Sequence, residues 1–168
     1  MEIKPINLNR QQIESLAESY AKATLYFPGE TDIFNYVKNN LKGNISYTNN
    51  KTDSSGGSIE VKIDPKSFTI FLSNTTPTKR DIFTVAHELG HYVLHSKLGA
   101  VELTANRFGK TKAEQEANTF AAAFLMPAEK VNKSYLINQH CISKMAEEFN
   151  VSYSAMEWRC KNLGLAIE

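Results

Sequence analysis

Hydrophobic positions recur along this chain in two rhythms, and the switches between them divide it. Between residues 9 and 26, Ile13, Leu16, Ala17, Tyr20, Ala21 and Thr24 stand at helical spacing, with Asn9 placed as a cap and Pro28-Gly29 as a stop. A shorter helix follows from Thr31, its expected cap, to about Leu41, with Ile33, Phe34 and Val37 inward and Gly43 beyond its end. The period then changes to two. Ile45-Ser46-Tyr47-Thr48 reads as a short strand, and Ile59, Val61 and Ile63 alternate with polar residues. After the turn signal Asp64-Pro65-Lys66-Ser67, Phe68, Ile70 and Leu72 alternate again, so the two runs predict an antiparallel hairpin within a three-stranded sheet. The polar stretch from Asn49 to Gly57 reads as a solvated loop, with a flap beside a cleft as the sharper alternative.

From Thr78 to His95 the spacing is helical once more, opened by Thr78-Lys79-Arg80-Asp81 in the pattern of a capping box. Ile82, Val85, Ala86, Leu89 and Val93 form one apolar stripe, and His87 and His91 lie on the opposite side between Phe83 and Leu94. A helix apolar on two sides is one buried between layers. Another helix, Thr111 to Met126, opens with Thr111-Lys112-Ala113-Glu114 and ends before Pro127. From Val131 to Leu163 the chain is mostly helical, with Gly164 as a stop. The expected organisation is a domain over residues 1–130 and a helical extension, 131–168, packed on it.

The chemistry concentrates in His87-Glu88-Leu89-Gly90-His91. Residues four apart on a helix differ by ~40° around the axis, so the two imidazoles leave one face and can grip one divalent ion. Glu88 is ~100° away from His87, too far round to be a third ligand there, but placed to act as general base on a water beside the ion. Buried histidines need partners, and a metal supplies them. A catalytic zinc takes a third protein ligand and leaves one position for water. The helix at 111–126 offers Glu114 and Glu116. Glu114 has a competing task as the reciprocal residue of the capping box. Glu116 lies beside Ala117, Phe120, Ala121 and Phe124, the apolar side, so Glu116 is the preferred ligand and Glu114 the fallback. Two nitrogens and an oxygen suit zinc first, with manganese and iron as other occupants.

Two longer motifs surround these residues: Arg80-Asp81-Ile82-Phe83-Thr84-Val85-Ala86-His87-Glu88-Leu89-Gly90-His91-Tyr92, continuing to His95, and Glu114-Gln115-Glu116-Ala117-Asn118-Thr119-Phe120-Ala121-Ala122-Ala123-Phe124-Leu125-Met126-Pro127. In this order, after a short sheet, they resemble the core of the ImmA/IrrE metallopeptidase family. The resemblance covers about residues 40–130 well and the flanks loosely. It implies a compact zincin-like α+β domain: a small, mostly antiparallel three-stranded sheet beside the H-E-x-x-H helix. It implies zinc on His87, His91 and Glu116, with Glu88 as catalytic base. It also implies a cytoplasmic endopeptidase acting on a partner protein, a helix-turn-helix transcriptional repressor. Strand 68–72 is the expected edge for holding an extended substrate. Tyr92 and His95 are the nearby candidates for stabilising the oxyanion, and both have packing as the simpler role.

Residues 142–163 resemble a helix-turn-helix, with a turn and cap at Asn150-Val151-Ser152. This raises a rival function, a DNA-binding or protein-binding regulator whose metal is structural or sensory. Charge weighs against DNA. Residues 141–163 hold three cations (Lys144, Arg159, Lys161) and three acids (Glu147, Glu148, Glu157). The whole chain of 168 residues has 19 Lys and Arg against 18 Asp and Glu, so no basic footprint exists at either scale. No apolar run approaches the ~20 residues of a membrane span. The start of the chain lacks a secretory layout, and Cys141 and Cys160 read as free thiols.

Overall fold

The computed structural model describes residues 2–48, 57–74, 78–106 and 110–167. The Asn49–Gly57 loop therefore lies outside the described residues except for Gly57 itself. In chain order the described elements are α1 (Arg10–Ala23), α2 (Ile33–Asn39), β1 (Asn44–Thr48), β2 (Gly57–Ile63), β3 (Lys66–Ser73), α3 (Thr78–Gly90), a π-helical turn (His91–His95), β4 (Leu103–Asn106), α4 (Lys112–Leu125), α5 (Ala128–Ile137), α6 (Ile142–Glu148) and α7 (Tyr153–Asn162). This is a mixed α+β fold.

The sheet has four strands in the order β1-β3-β2-β4. β2 and β3 form the expected antiparallel hairpin, with Ile59 opposite Ile70 and Val61 opposite Phe68, so the alternating apolar residues share one buried face. Two features depart from the sequence expectation of three mostly antiparallel strands. β1 runs parallel to β3, because β2 takes the far side of β3. β4 adds antiparallel to β2, pairing Ala105 with Ile59. Its four residues are too few to show a period of their own, and it is ordered by its partner. β3 is consequently paired on both sides, so residues 68–72 cannot accept a further strand; the edges are β1 and β4.

α3 lies between layers, as its two apolar sides require. Nine of its thirteen residues are buried. Val85, Ala86 and Leu89 are fully enclosed, together with the Ile59, Ile70 and Leu72 face of the sheet. Behind it, α4 carries a run of enclosed residues from Phe120 to Leu125. An aromatic cluster joins α1, α2 and α4: Tyr26 stacks on Phe124 with ring centroids 4.3 Å apart, and Tyr36 meets Tyr26 edge-on at 5.1 Å. The caps are local and specific. Asn9 and Gln12 form a reciprocal capping box on α1. On α2 the cap is Asp32 rather than Thr31: Asp32 accepts from Phe34 and Asn35 N–H, and the Thr31 hydroxyl accepts from Phe27 N–H one turn earlier.

The C-terminal helices are tied to this frame by one side chain above all. Arg159 on α7 is 1% exposed; its Nε donates to the Met126 carbonyl at 2.9 Å and its Nη1 to Glu14 Oε1 at 2.7 Å. It thus joins α7 to the end of α4 and to α1. Gly29 packs against the Glu148 carbonyl with φ at +80°, a position where any side chain would be both strained and blocked. Cys141 and Cys160 are both free thiols.

Burial pushes the Glu14 carboxyl up, but the hydrogen bond and charge of Arg159, helped by Arg10, outweigh it and leave it below its ordinary value of 4.5. A carboxylate depressed in the folded state stabilises above its unfolded pKa, and that contribution fades as pH falls through the folded pKa. Arg159→Met is expected to cost about 3 kcal/mol at neutral pH by stranding Glu14 and the Met126 carbonyl. Urea unfolding followed by the single tryptophan, Trp158, checks this. The gap between variant and wild type should narrow as pH drops below 4.5.

Candidate metal centre

Each polar side chain of the centre is placed by the crossing of α3 and α4. That crossing is close because Gly90 has no side chain: a Cβ there would stand 3.1 Å from both the Cα and the carbonyl oxygen of Ala117. Small residues at the contact bring the two backbones near enough for short polar side chains to meet across it.

His87 on α3 and His91 at the start of the π-helical turn project on one face, at 0% and 1% exposure, with ring centroids 4.9 Å apart. Glu114, in the first turn of α4, spans them. Its Oε2 lies 3.0 Å from His87 Nε2 and its Oε1 3.1 Å from His91 Nε2. One donor atom from each of the three residues falls within 4.8 Å of the others. Burial works to raise the Glu114 carboxyl, but the hydrogen bonds from His87 and His91 prevail and hold it at about 2. The group is therefore an anion at neutral pH, facing two ring nitrogens. Donors at ~2.0–2.1 Å from a tetrahedral zinc stand ~3.4 Å apart, so the two spacings from Glu114 to the imidazoles need widen only by a few tenths of an ångström. Two imidazoles and a carboxylate are also the donor chemistry zinc prefers. The residues fit the ion.

Glu88 follows His87 and is 1% exposed. Gly57, where β2 begins, lies against it: an added Cβ would come within 3.5 Å of Glu88 Oε1 and would collide with the Thr84 methyl. The start of β2 thus closes on the Glu88 side of α3.

Glu116 stands elsewhere. Two residues on from Glu114 is ~200° around the helix, so the two carboxylates cannot enter one pocket. Glu116 Oε2 lies 2.9 Å from His95 Nε2 and 3.0 Å from Ile6 N; its Oε1 accepts from Asn7 N at 2.9 Å. The structure thus brings Glu114, the fallback of the sequence reading, to the two histidines, and sets the preferred Glu116 apart from them. Burial could not discriminate between them, because both faces of α4 are covered. The capping assignment was half right: the Thr111 hydroxyl accepts from Glu114 N–H at 3.3 Å, while the Glu114 side chain turns to the histidines.

Two further residues touch the outer nitrogens of the imidazoles. Asn118 Oδ1 lies 2.8 Å from His87 Nδ1, and His95 Nδ1 lies 3.0 Å from His91 Nδ1. Asn118 went unnoticed in the sequence, although it stands four residues after Glu114 and so shares its face. His95 is turned to His91 and Glu116, and burial leads the causes that hold it below its ordinary value of 6.5. Tyr92 stacks on Phe68 at 4.3 Å and donates its hydroxyl to the Leu98 carbonyl. Both are thus committed away from the Glu88 side.

An α+β domain that buries such a donor set on a helix crossing, with a carboxylate beside it, has the architecture of a metal-dependent hydrolase. The comparisons give the family: residues 46–161 match the peptidase family described as the IrrE N-terminal-like domain, and the chain belongs to the ImmA/IrrE metallopeptidases. It is 29% identical over 84 residues to Metallopeptidase ImmA of Bacillus subtilis (strain 168), covering 49% of this chain and 50% of that protein. A solved structure of a Mycobacterium tuberculosis transcriptional regulator shares its fold with a TM-score of 0.63 at 18% identity, over 92% of this chain and 47% of that one. The chain thus spans about half the length of both.

Gly90→Val is expected to wedge α3 from α4 at Ala117, lowering stability by about 1–3 kcal/mol. Zinc binding should weaken with it, because Glu114 and the histidines sit on opposite sides of that contact. Thermal unfolding of metal-free protein and a chelator competition measure the two effects.

Proposed function

We propose that this chain is a zinc-dependent endopeptidase that cuts a partner protein, a helix-turn-helix transcriptional repressor, in the cytoplasm. The observation that carries the reading is the Glu114 carboxylate lying across His87 and His91 Nε2 at 3.0 and 3.1 Å, with Glu88 buried beside them. In this reading His87, His91 and Glu114 hold the metal. The substrate class rests on the family resemblance.

When bound, zinc supplies Lewis-acid polarisation and lowers the pKa of water. Glu88 takes the proton from the attacking water and returns it to the leaving amide nitrogen. Asn118 and His95 hold the imidazole rings in place. An extended substrate adds to the outer edge of β4, taking the role that the buried β3 cannot. The Asn106 end of that strand pairs with Ser58, next to the Gly57 that packs on Glu88. A groove of about 500 Å³ between α3 and α7, lined by Lys79, Arg80, Phe83, Ala155 and Trp158, lies one to two turns before His87 and favours a substrate-docking role for the C-terminal helices.

The rival DNA-binding reading loses ground on α7. Of its cations, Arg159 is buried against Glu14 and Lys161 pairs with Glu157 at 3.5 Å. Neither forms an open basic face for phosphates. No described helix is long and apolar enough to cross a membrane.

The test is co-expression with a candidate helix-turn-helix repressor, taken from the genes that flank this one. Wild type is expected to give discrete repressor fragments that vanish when metal is chelated. Glu88→Gln should keep its zinc and cut slower by about 10²–10⁴-fold. Glu114→Gln should lose both zinc and cutting. Undiminished cutting by Glu88→Gln, or wild-type protein that takes up no metal, would defeat the assignment.

A further inference from the structure

Glu116 is a buried ionisable residue that the proposed chemistry does not use, and it is joined to the centre through His95. The proton positions follow from one condition, that a metal takes the lone pair of His91 Nε2, the nitrogen facing Glu114. A neutral imidazole has one N–H, so the His91 proton must then sit on Nδ1. At 3.0 Å from that atom lies His95 Nδ1, which must accept. The His95 proton is therefore on Nε2, and it is donated to Glu116 Oε2 at 2.9 Å. Glu116 in turn accepts the backbone N–H groups of Ile6 and Asn7 at 3.0 and 2.9 Å, across more than a hundred residues of chain. Asn7 is held there a second time, by Lys112 Nζ on its side-chain oxygen at 2.6 Å. Every donor in this row meets an acceptor; reversing His95 would set donor against donor, and reversing His91 would set lone pair against lone pair.

We propose that His95 and Glu116 are positioning residues of the metal centre, and that the backbone of residues 6 and 7 completes their shell, so that the N-terminal segment governs how tightly the ion is held. The inference rests on the reading that His87, His91 and Glu114 bind the metal. A ligating histidine whose outer N–H is anchored in this way is fixed in tautomer and ring angle, and losing such an anchor typically weakens metal binding 10–100-fold. Here the anchor runs through a second imidazole to a carboxylate, and that carboxylate is seated by main-chain groups. Glu116 can take this role because it faces away from Glu114.

The experiment measures zinc dissociation constants by competition with a chromophoric chelator for wild type, His95→Gln, Glu116→Gln, the double variant, Glu114→Gln and a chain lacking residues 2–7. His95→Gln, Glu116→Gln and the truncation are each expected to weaken zinc binding about 10–100-fold. The double variant should be little worse than either single one, because both break the same row. Independent, multiplying losses in the double variant would overturn the proposal, as would dissociation constants within twofold of wild type. Loss of zinc in Glu116→Gln as complete as in Glu114→Gln would make Glu116 a ligand and also overturn it. If Glu114→Gln alone keeps wild-type affinity, the ligand assignment fails instead, and the two failures are distinct. A measurement on the zinc-loaded wild-type protein needs no variant to fold: long-range ¹H–¹⁵N spectra of histidine-labelled protein should show the proton on Nδ1 of His91 and on Nε2 of His95. The opposite tautomer at His95 sinks the row.

Discussion

The arrangement depends on a carboxylate placed between two imidazoles inside a helix crossing. Taking Glu114 out of water is costly, and the cost is offset only because both of its oxygens find a ring nitrogen at hydrogen-bond distance. The carboxyl is held at about 2 by those contacts despite its burial. Such geometry demands that α3 and α4 approach more closely than large side chains allow, which is what Gly90 against Ala117 provides. The polar centre and the apolar packing are one constraint: loosening the crossing would leave a buried anion without partners.

Much of this was legible in the sequence, and the reasons are local. His87 and His91 declare a shared face through their spacing alone, and the double apolar stripe of α3 foretold its place between layers. The hairpin of β2 and β3 was visible because both strands alternate and a turn signal separates them. What escaped depends on partners distant in the chain. β4 owes its order to β2, and no pattern in four residues could reveal that. The parallel pairing of β1 with β3 is a matter of which side of β3 remains open. On α2, Thr31 and Asp32 are both good caps, and only the path of the preceding loop gives the task to Asp32.

The placement of Glu114 and Glu116 is the instructive difference between sequence and fold. Sequence reasoning took the inward side of α4 to be a single side, that of Phe120 and Phe124, and set Glu116 on it. In the fold α4 is covered on two sides. Glu114 and Asn118, four apart, face α3 and the imidazoles of His87 and His91. Glu116 faces the N-terminal segment and the π-helical turn. Amphipathic analysis assigns one buried stripe per helix, and it fails on a helix with two. The signal that could have corrected it was composition: Ala113, Ala117, Ala121, Ala122 and Ala123 on one helix are all nearly inaccessible.

That composition also explains how polar chemistry can be built on both faces of the same helix. Alanine contributes little buried area per residue, so α4 adds less to the core than a leucine-rich helix of equal length. What it allows is close backbone approach, which lets Glu114 and Asn118 meet α3 while Glu116 meets residues 6 and 7. The larger apolar contribution is placed at the far end, where Phe120 and Phe124 join Tyr20 of α1, Tyr36 of α2 and Tyr26 between them. α4 is thus divided along its length, with polar partners in its first two turns and aromatic packing in its last two. Arg159 seals the end by donating to the carbonyl of Met126, just beyond its final turn. A helix anchored in this way at its aromatic end can hold charged groups at the other, since the packing that fixes its position does not rely on the residues that carry the chemistry.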